Sequence, residues 1–228
     1  MKAILKRHLT FSDILLIAAN LVPAWGVWFM GWDAKQIFLV YCLETIIIGL
    51  YNILQMWLIT LVKKEDEWSN GGSSTMVSGY FFMLFFLIHY GFFVFIQMSI
   101  FLSMSGTPGL QMGPSGLVEF LTHFQKYLSN YAQWLLIFFV MAYGLGILKD
   151  FVISGAYRNI SLNEQMFIPY GRIIIQQFVV ILGSFFIMFG GGKVFIAIFV
   201  IVKILVEFFI NFKKMIEDAA KKKSLQQQ

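Results

Sequence analysis

Apolar residues dominate the chain in long runs, and short polar segments separate these runs. Each run is close to the roughly 20 residues that a helix needs to cross a hydrocarbon core of about 30 Å. Backbone groups facing lipid must be paired within their own segment, so each run is predicted to be a helix. The pattern therefore predicts an all-α membrane bundle of about six transmembrane helices in a single domain over residues 1–228. The predicted spans are residues 11–30, 36–62, 77–103, 131–153, 173–189 and 194–212.

One predicted connection, residues 104–130, is long and opens with several glycines and prolines. After these, apolar residues recur every three or four positions, which is typical of an amphipathic helix. We expect this helix to lie in the outer membrane interface. It is either a lid over an outward-facing cavity or a surface element that packs on the bundle. The apolar positions are Leu117, Leu121, Phe124 and Leu128.

The charge is distributed unevenly between the predicted connections. Lysine and arginine near span ends mark the cytoplasmic side. With six crossings one side receives Lys2, Lys6, Arg7, Lys63, Lys64, Lys149, Arg158, Arg172 and the five lysines of the tail, residues 213–228, and the other side receives Lys35, Lys126 and Lys193. Both termini are therefore predicted to be cytoplasmic. The net charge of +5 is explained by attraction to the anionic lipid bilayer and predicts no nucleic-acid partner.

Polar side chains within the predicted spans are the best candidates for function, because unpaired polar groups at membrane depth are costly. Lys203 and Glu207 are four residues apart and could form a salt bridge on one helix. Glu44 has no opposite charge on its own helix, so it is protonated, paired with His89 or Lys203, or open to a water-filled cavity. The four candidates for ligand binding or proton relay are Glu44, His89, Lys203 and Glu207. Asn20, Asn52, Gln97, Arg172 and Gln177 are supporting polar positions, several of them suited to hydrogen bonding between helices.

Motifs of several enzyme classes are absent from the sequence, including H-E-x-x-H, G-x-S-x-G and the Walker loop. Cys42 is the single cysteine, so no internal disulfide forms. His8, His89 and His123 are predicted at three different depths and would not share one metal. We predict no catalytic residue, no cofactor and no metal. A zinc site would have to combine His89 with Glu44 and Glu207.

Short motifs along most of the chain resemble an uncharacterised bacterial family of multi-pass membrane proteins, domain-of-unknown-function family 6498. The motifs are residues 19–56, His89-Tyr90-Gly91, Pro169-Tyr170-Gly171-Arg172, Leu182-Gly183, and Lys203 followed four positions later by an acid. The resemblance implies a bacterial inner membrane and supplies no activity. It also implies histidine in relatives where this chain has Gln97 and Gln177, and aspartate where it has Glu207. Two groups that titrate near neutral pH would then be amides here.

Three functions remain open. The first is binding or transport of a small polar solute or a proton through a polar cavity. The second is an accessory or scaffold subunit that associates with other membrane proteins or with copies of itself. The third is an intramembrane metal-dependent enzyme built on His89 and the carboxylates.

Overall fold

The structure is a computed structural model of the chain. It describes residues 11–70, 73–105, 114–171, 173–174, 177, 182–183, 185–186 and 189–209. Of the predicted site residues, Arg172 and the side chain of Glu207 lie outside the described part, as does the basic tail.

Helices account for most of the described residues, which confirms the all-α class. They are α1 (Phe11–Phe29), α2 (Ala34–Lys63), α3 (Gly79–Ser105), α4 (Pro114–Tyr127), α5 (Asn130–Ile147), α6 (Leu162–Phe167) and α7 (Gly192–Phe209). Helical residues are also found at 170–171, 173–174, 177, 182–183 and 185–186. α5 continues directly into a π-helical segment, Leu148–Ile153, and a short 3₁₀ helix follows at Ala156–Arg158.

Three helical segments in the described part are long and apolar enough to cross a membrane: Ala34–Lys63, Gly79–Ser103 and Asn130–Ile153. A shorter apolar stretch, Ile14–Phe29, lies in α1. The chain is thus compatible with a membrane protein, and the figure of six crossings stays a prediction.

A two-stranded antiparallel hairpin joins α2 to α3 and was not predicted. Its strands are β1 (Glu65–Asn70) and β2 (Ser73–Ser78), with Glu65 opposite Ser78. The ring of Trp68 packs against Phe82 and Phe85, with centroid distances of 5.6 and 5.2 Å. This contact holds the hairpin on the first turns of α3.

Polar contacts tie the hairpin end of α2 to α6. The Asp66 carboxylate accepts a hydrogen bond from the Leu162 N–H at 2.5 Å, which caps the start of α6. Ser161 and Glu164 complete this cap as a capping box. Lys63 Nζ donates to the Ile160 carbonyl oxygen at 2.7 Å. The hydrogen bonds from Lys63 and to Asp66 therefore fix the start of α6 on the hairpin end of α2.

The opposite end of α2 is tied to the α4–α5 connection. Gln36 donates from Nε2 to the Tyr127 carbonyl oxygen at 2.9 Å and accepts from the Ser129 N–H at 3.0 Å. Trp32 stacks on Tyr131 with a centroid distance of 4.7 Å. α4 itself packs on the bundle, with Phe120 fully buried.

α2 is the central helix of the fold. Phe38 and Tyr41 on its first half pack in a core cluster with Phe139 and Phe199. Met56 on its second half packs in another cluster with Phe82, Phe86 and Tyr170. Both clusters use α2 as one wall, so its position determines the spacing of the remaining helices.

Two glycines test the packing of α2 on α3. A Cβ atom added at Gly49 would lie 2.6 Å from Cε1 of Tyr90, whereas one added at Gly91 meets nothing within 4 Å. We expect Gly49→Ala to lower the free energy of unfolding by about 1–3 kcal/mol through overpacking. Gly91→Ala should leave stability unchanged or raise it by up to about 1 kcal/mol, because alanine favours the helix. Unfolding of both variants in detergent checks this, and equal stability of the two would contradict the packing.

Candidate functional site

Glu44 and Lys203 form an ion pair in the interior. Glu44 is fully buried and Lys203 is 6% exposed, and the Lys203 ammonium contacts Oε2 of the carboxylate. The other carboxylate oxygen, Oε1, accepts a hydrogen bond from the Tyr143 hydroxyl at 2.7 Å. α2, α5 and α7 each contribute one of these side chains, so the ion pair and the Tyr143 hydrogen bond together join three helices.

Aromatic rings surround the ammonium group of Lys203. Its Nζ lies 4.4 Å from the ring centroid of Tyr41, 5.1 Å from that of Phe139 and 6.0 Å from that of Phe199. A cation over an aromatic face is stabilised by about 2 kcal/mol when water is excluded. The rings thus offset part of the cost of burying the charge. The Tyr41 hydroxyl in turn donates to the backbone oxygen of Asn20 at 3.2 Å.

A cavity of about 350 Å³ is connected to this pair through Tyr143, although neither Glu44 nor Lys203 lines it. Apolar residues of α1, α2, α5 and the segment around α6 form much of its wall. Tyr143 is both a wall residue and the donor to Glu44, so a single side chain connects the cavity to the ion pair. The polar wall residues are Tyr51, Asn52, Gln55, Tyr143, Asp150 and Gln165.

Three amides of the cavity wall are hydrogen-bonded to one another. Gln165 of α6 donates from Nε2 to Asn52 Oδ1 at 2.7 Å and to Gln55 Oε1 at 3.2 Å. Asn52 and Gln165 are each only 2% exposed. Because buried amides are costly unless they are bonded, these contacts fix α6 against α2. Asp150 enters the wall from the π-helical segment, a distortion that is frequent at functional sites.

His89 lies apart from the ion pair, on an exposed face of α3. Its Nδ1 is 2.7 Å from the Tyr170 hydroxyl, and its ring stacks on Phe85 with a centroid distance of 5.5 Å. The surface depression beside it, of about 510 Å³, has no wall residue in common with the polar cavity. Of the candidate residues, the structure therefore brings Glu44 and Lys203 together and leaves His89 at a separate place.

Most of the supporting polar residues bond to groups within the bundle. Asn20 donates to the Leu16 carbonyl oxygen at 2.8 Å, and Gln177 donates to that of Phe93 at 2.6 Å. Gln97 is fully buried and donates to Thr45 Oγ1 at 3.4 Å. None of these three lines the polar cavity, whereas Asn52 does.

Comparison with protein families finds a match over most of the chain. Residues 3–226 match the family model described as Family of unknown function (DUF6498). The chain belongs to this family. No curated protein and no solved structure matches it.

This DUF6498 member carries cavity residues that sequence reasoning did not single out. Tyr143 lies in a predicted span, but tyrosine is common near membrane interfaces and its presence alone is no signal. Gln165 lies in a segment without a long apolar run. The one available signal was the pairing of Ser161 with Glu164, which is typical of a helix start.

Among the residues that the structure describes in this DUF6498 member, no group of three or more histidine, cysteine, aspartate or glutamate side chains could hold a metal ion. Cys42, a candidate soft ligand, is buried. Glu44 already has a cationic partner in Lys203. No contact in the described part of the chain therefore favours the metal-dependent enzyme.

The ion pair makes a direct prediction about stability. Glu44→Gln or Lys203→Met alone should each cost about 3–5 kcal/mol of unfolding free energy, because one buried charge loses its partner. The double variant should cost much less than the sum of the two. Unfolding of the four proteins in detergent measures the coupling, and additive effects would contradict a direct pair. Glu67→Gln, at an exposed hairpin position, is the control for removal of a carboxylate.

Proposed function

We propose that the protein is a multi-pass protein of the bacterial cytoplasmic membrane that binds a small polar solute in the cavity, as a step in carrying it across the bilayer. The observation that carries the proposal is a cavity of about 350 Å³ whose wall contains bonded amides and Tyr143. This volume is at the lower end of those typical for small-molecule sites.

The ion pair supports the proposal because it lies one hydrogen bond away from the cavity. A solute that competes for the Tyr143 hydroxyl would disturb the contact with Glu44 and hence the pairing with Lys203. Ionisable residues inside a membrane protein are common on substrate and proton pathways. The arrangement is therefore suited to a solute pathway that responds to a proton.

The charges at the two ends of α2 support an orientation with both termini in the cytoplasm. Lys63 and Lys64 lie at the hairpin end of α2. Lys63 donates to the Ile160 carbonyl oxygen, and Arg158 lies two residues before Ile160. Lys35 and Lys126 lie at the opposite end, where Gln36 is bonded to Tyr127. The connections at the hairpin end contain more lysine and arginine residues, so this end is proposed to be cytoplasmic.

Solute binding is tested by thermal unfolding of the purified protein with glycerol, glycine, glucose, ethanolammonium and glycolate. Binding at one hundred times the Kd stabilises the folded state by about 2.7 kcal/mol, so at least one compound should raise the Tm. Gln165→Leu should abolish that increase, because this amide joins α6 to α2 in the cavity wall.

The matched control is Gln133→Leu, which removes an amide that bonds to the Gln125 and Leu128 carbonyl oxygens away from the cavity. This variant should keep the solute effect. Stabilisation that survives Gln165→Leu, or no stabilisation by any compound, would count against the cavity as a solute site.

Orientation is tested with single-cysteine variants in intact cells, on a background in which the buried Cys42 is replaced by alanine. A membrane-impermeant maleimide should label Gln125→Cys from outside and should label Ser74→Cys only after the membrane is permeabilised. Both positions are exposed, so accessibility differs only by side. The reverse labelling pattern would show the opposite orientation.

An accessory-subunit role is the second candidate, and one observation favours it. α3 is largely uncovered, with Leu84, Ile88 and Phe92 more than half exposed. His89 lies on the same exposed surface. The imidazole of His89 can form hydrogen bonds with polar groups of a partner helix, whereas lipid tails offer none. Purification with a stoichiometric partner, together with no response to any solute, would favour this role.

A further inference from the structure

Two amides of the cavity wall, Gln165 and Asn52, use N–H donors in contacts within the protein. Gln165 uses its Nε2 group for two bonds, to Asn52 Oδ1 and Gln55 Oε1. Asn52 Nδ2 contacts the Met56 sulfur at 3.6 Å. An amide has two N–H donors and one carbonyl oxygen with two lone pairs. The group of Gln165 that still has capacity for a ligand is therefore its oxygen, an acceptor.

The hydroxyl groups of the wall are also committed as donors. Tyr51 donates to the Val140 carbonyl oxygen at 2.8 Å, and Tyr143 donates to Glu44 at 2.7 Å. Each hydroxyl has one hydrogen, so neither offers a donor to a ligand unless its present bond breaks. The Tyr51 oxygen keeps acceptor capacity.

Asp150 adds a carboxylate to this set of acceptors. It is the one residue with a formal charge among the described residues that line the cavity. A carboxylate has about four lone-pair positions, so it binds a ligand alongside other contacts.

The helix end near Asp150 and the aromatic rings of the wall also favour a positively charged ligand. Asp150 and Phe151 lie in the π-helical segment that closes the α5 helix at Ser154. The C-terminal end of a helix has a partial negative charge. Phe151 and Tyr51 also supply aromatic rings to the wall, and such rings attract cations.

We propose that the cavity binds a small organic cation with a primary ammonium group. Such a group has three N–H donors for the Gln165 oxygen, the Tyr51 oxygen and the Asp150 carboxylate. A quaternary ammonium has the charge without the donors, and an alcohol has a donor without the charge. The inference rests on the proposed solute-binding function and specifies its ligand class.

The test uses four probes with the same hydroxyethyl or hydroxymethyl part: ethanolammonium, choline, ethylene glycol and glycolate. Binding to the purified full-length protein is measured by calorimetric titration. Ethanolammonium should bind at least about fivefold more tightly than choline and ethylene glycol, and glycolate should not bind. Asp150→Asn should weaken ethanolammonium binding by about tenfold or more, since a charged hydrogen bond becomes a neutral one.

Glu67→Gln is the matched control, because it removes a carboxylate that is exposed on the hairpin and absent from the cavity wall. It should leave ethanolammonium affinity unchanged. Thermal unfolding of both variants without ligand shows whether Asp150→Asn is folded. If that variant does not fold, Tyr51→Phe replaces it, and its ethanolammonium affinity should fall while its choline affinity stays constant.

The outcomes separate this inference from the proposed function. Binding of ethylene glycol or glycolate as tightly as ethanolammonium, lost in Gln165→Leu, overturns the ammonium ligand and leaves the solute cavity standing. Unchanged ethanolammonium affinity in Asp150→Asn also overturns the ammonium assignment. No binding by any probe, with none of the wider solute panel stabilising the protein, overturns both.

Discussion

The buried ion pair between Glu44 and Lys203 is the constraint on which the helix arrangement depends. Each charge alone would be very costly in an apolar interior, so the pair persists only if α2 and α7 keep one rotation and one depth. Tyr143 adds the same requirement for α5 through its bond to Glu44. Apolar contacts alone would not supply this specificity, because lipid tails are as apolar as the side chains that they would replace.

α2 carries a second layer of polar side chains in addition to the ion pair. Asn52 is eight residues beyond Glu44, a rise of about 12 Å along a helix. One layer is an ion pair and the other is a set of amides. The amides line the cavity together with Tyr143, which bonds to the ion pair. α2 can hold both layers because it is the most enclosed of the three long apolar segments described, with 67% of its apolar 18-residue stretch buried against 28% for α3. Both polar layers are therefore built on α2, the central helix.

The helices were largely predictable, and their lateral contacts were not. Apolar runs of membrane length give a strong signal, so α2 begins and ends within two residues of its predicted span. The hairpin between residues 65 and 78 was missed, although Asn70-Gly71-Gly72 is a turn signal between short strands. Sequence placed Glu44 and Lys203 in apolar segments, but the depth of a residue does not give the rotation of its helix. Contact between the two was therefore one option among several.

His89 lies on α3 and does not line the polar cavity. Phe93 and Gln97 follow it by one and two helical turns on α3, and Gln177 donates to the Phe93 carbonyl oxygen. If relatives have histidine at the positions of Gln97 and Gln177, as the resemblance implies, those imidazoles would lie along α3 near His89. Here both positions are amides that bond within the bundle and do not titrate near neutral pH. The bonds of Gln97 and Gln177 therefore hold helices together, whereas the ion pair and the cavity wall involve neither residue.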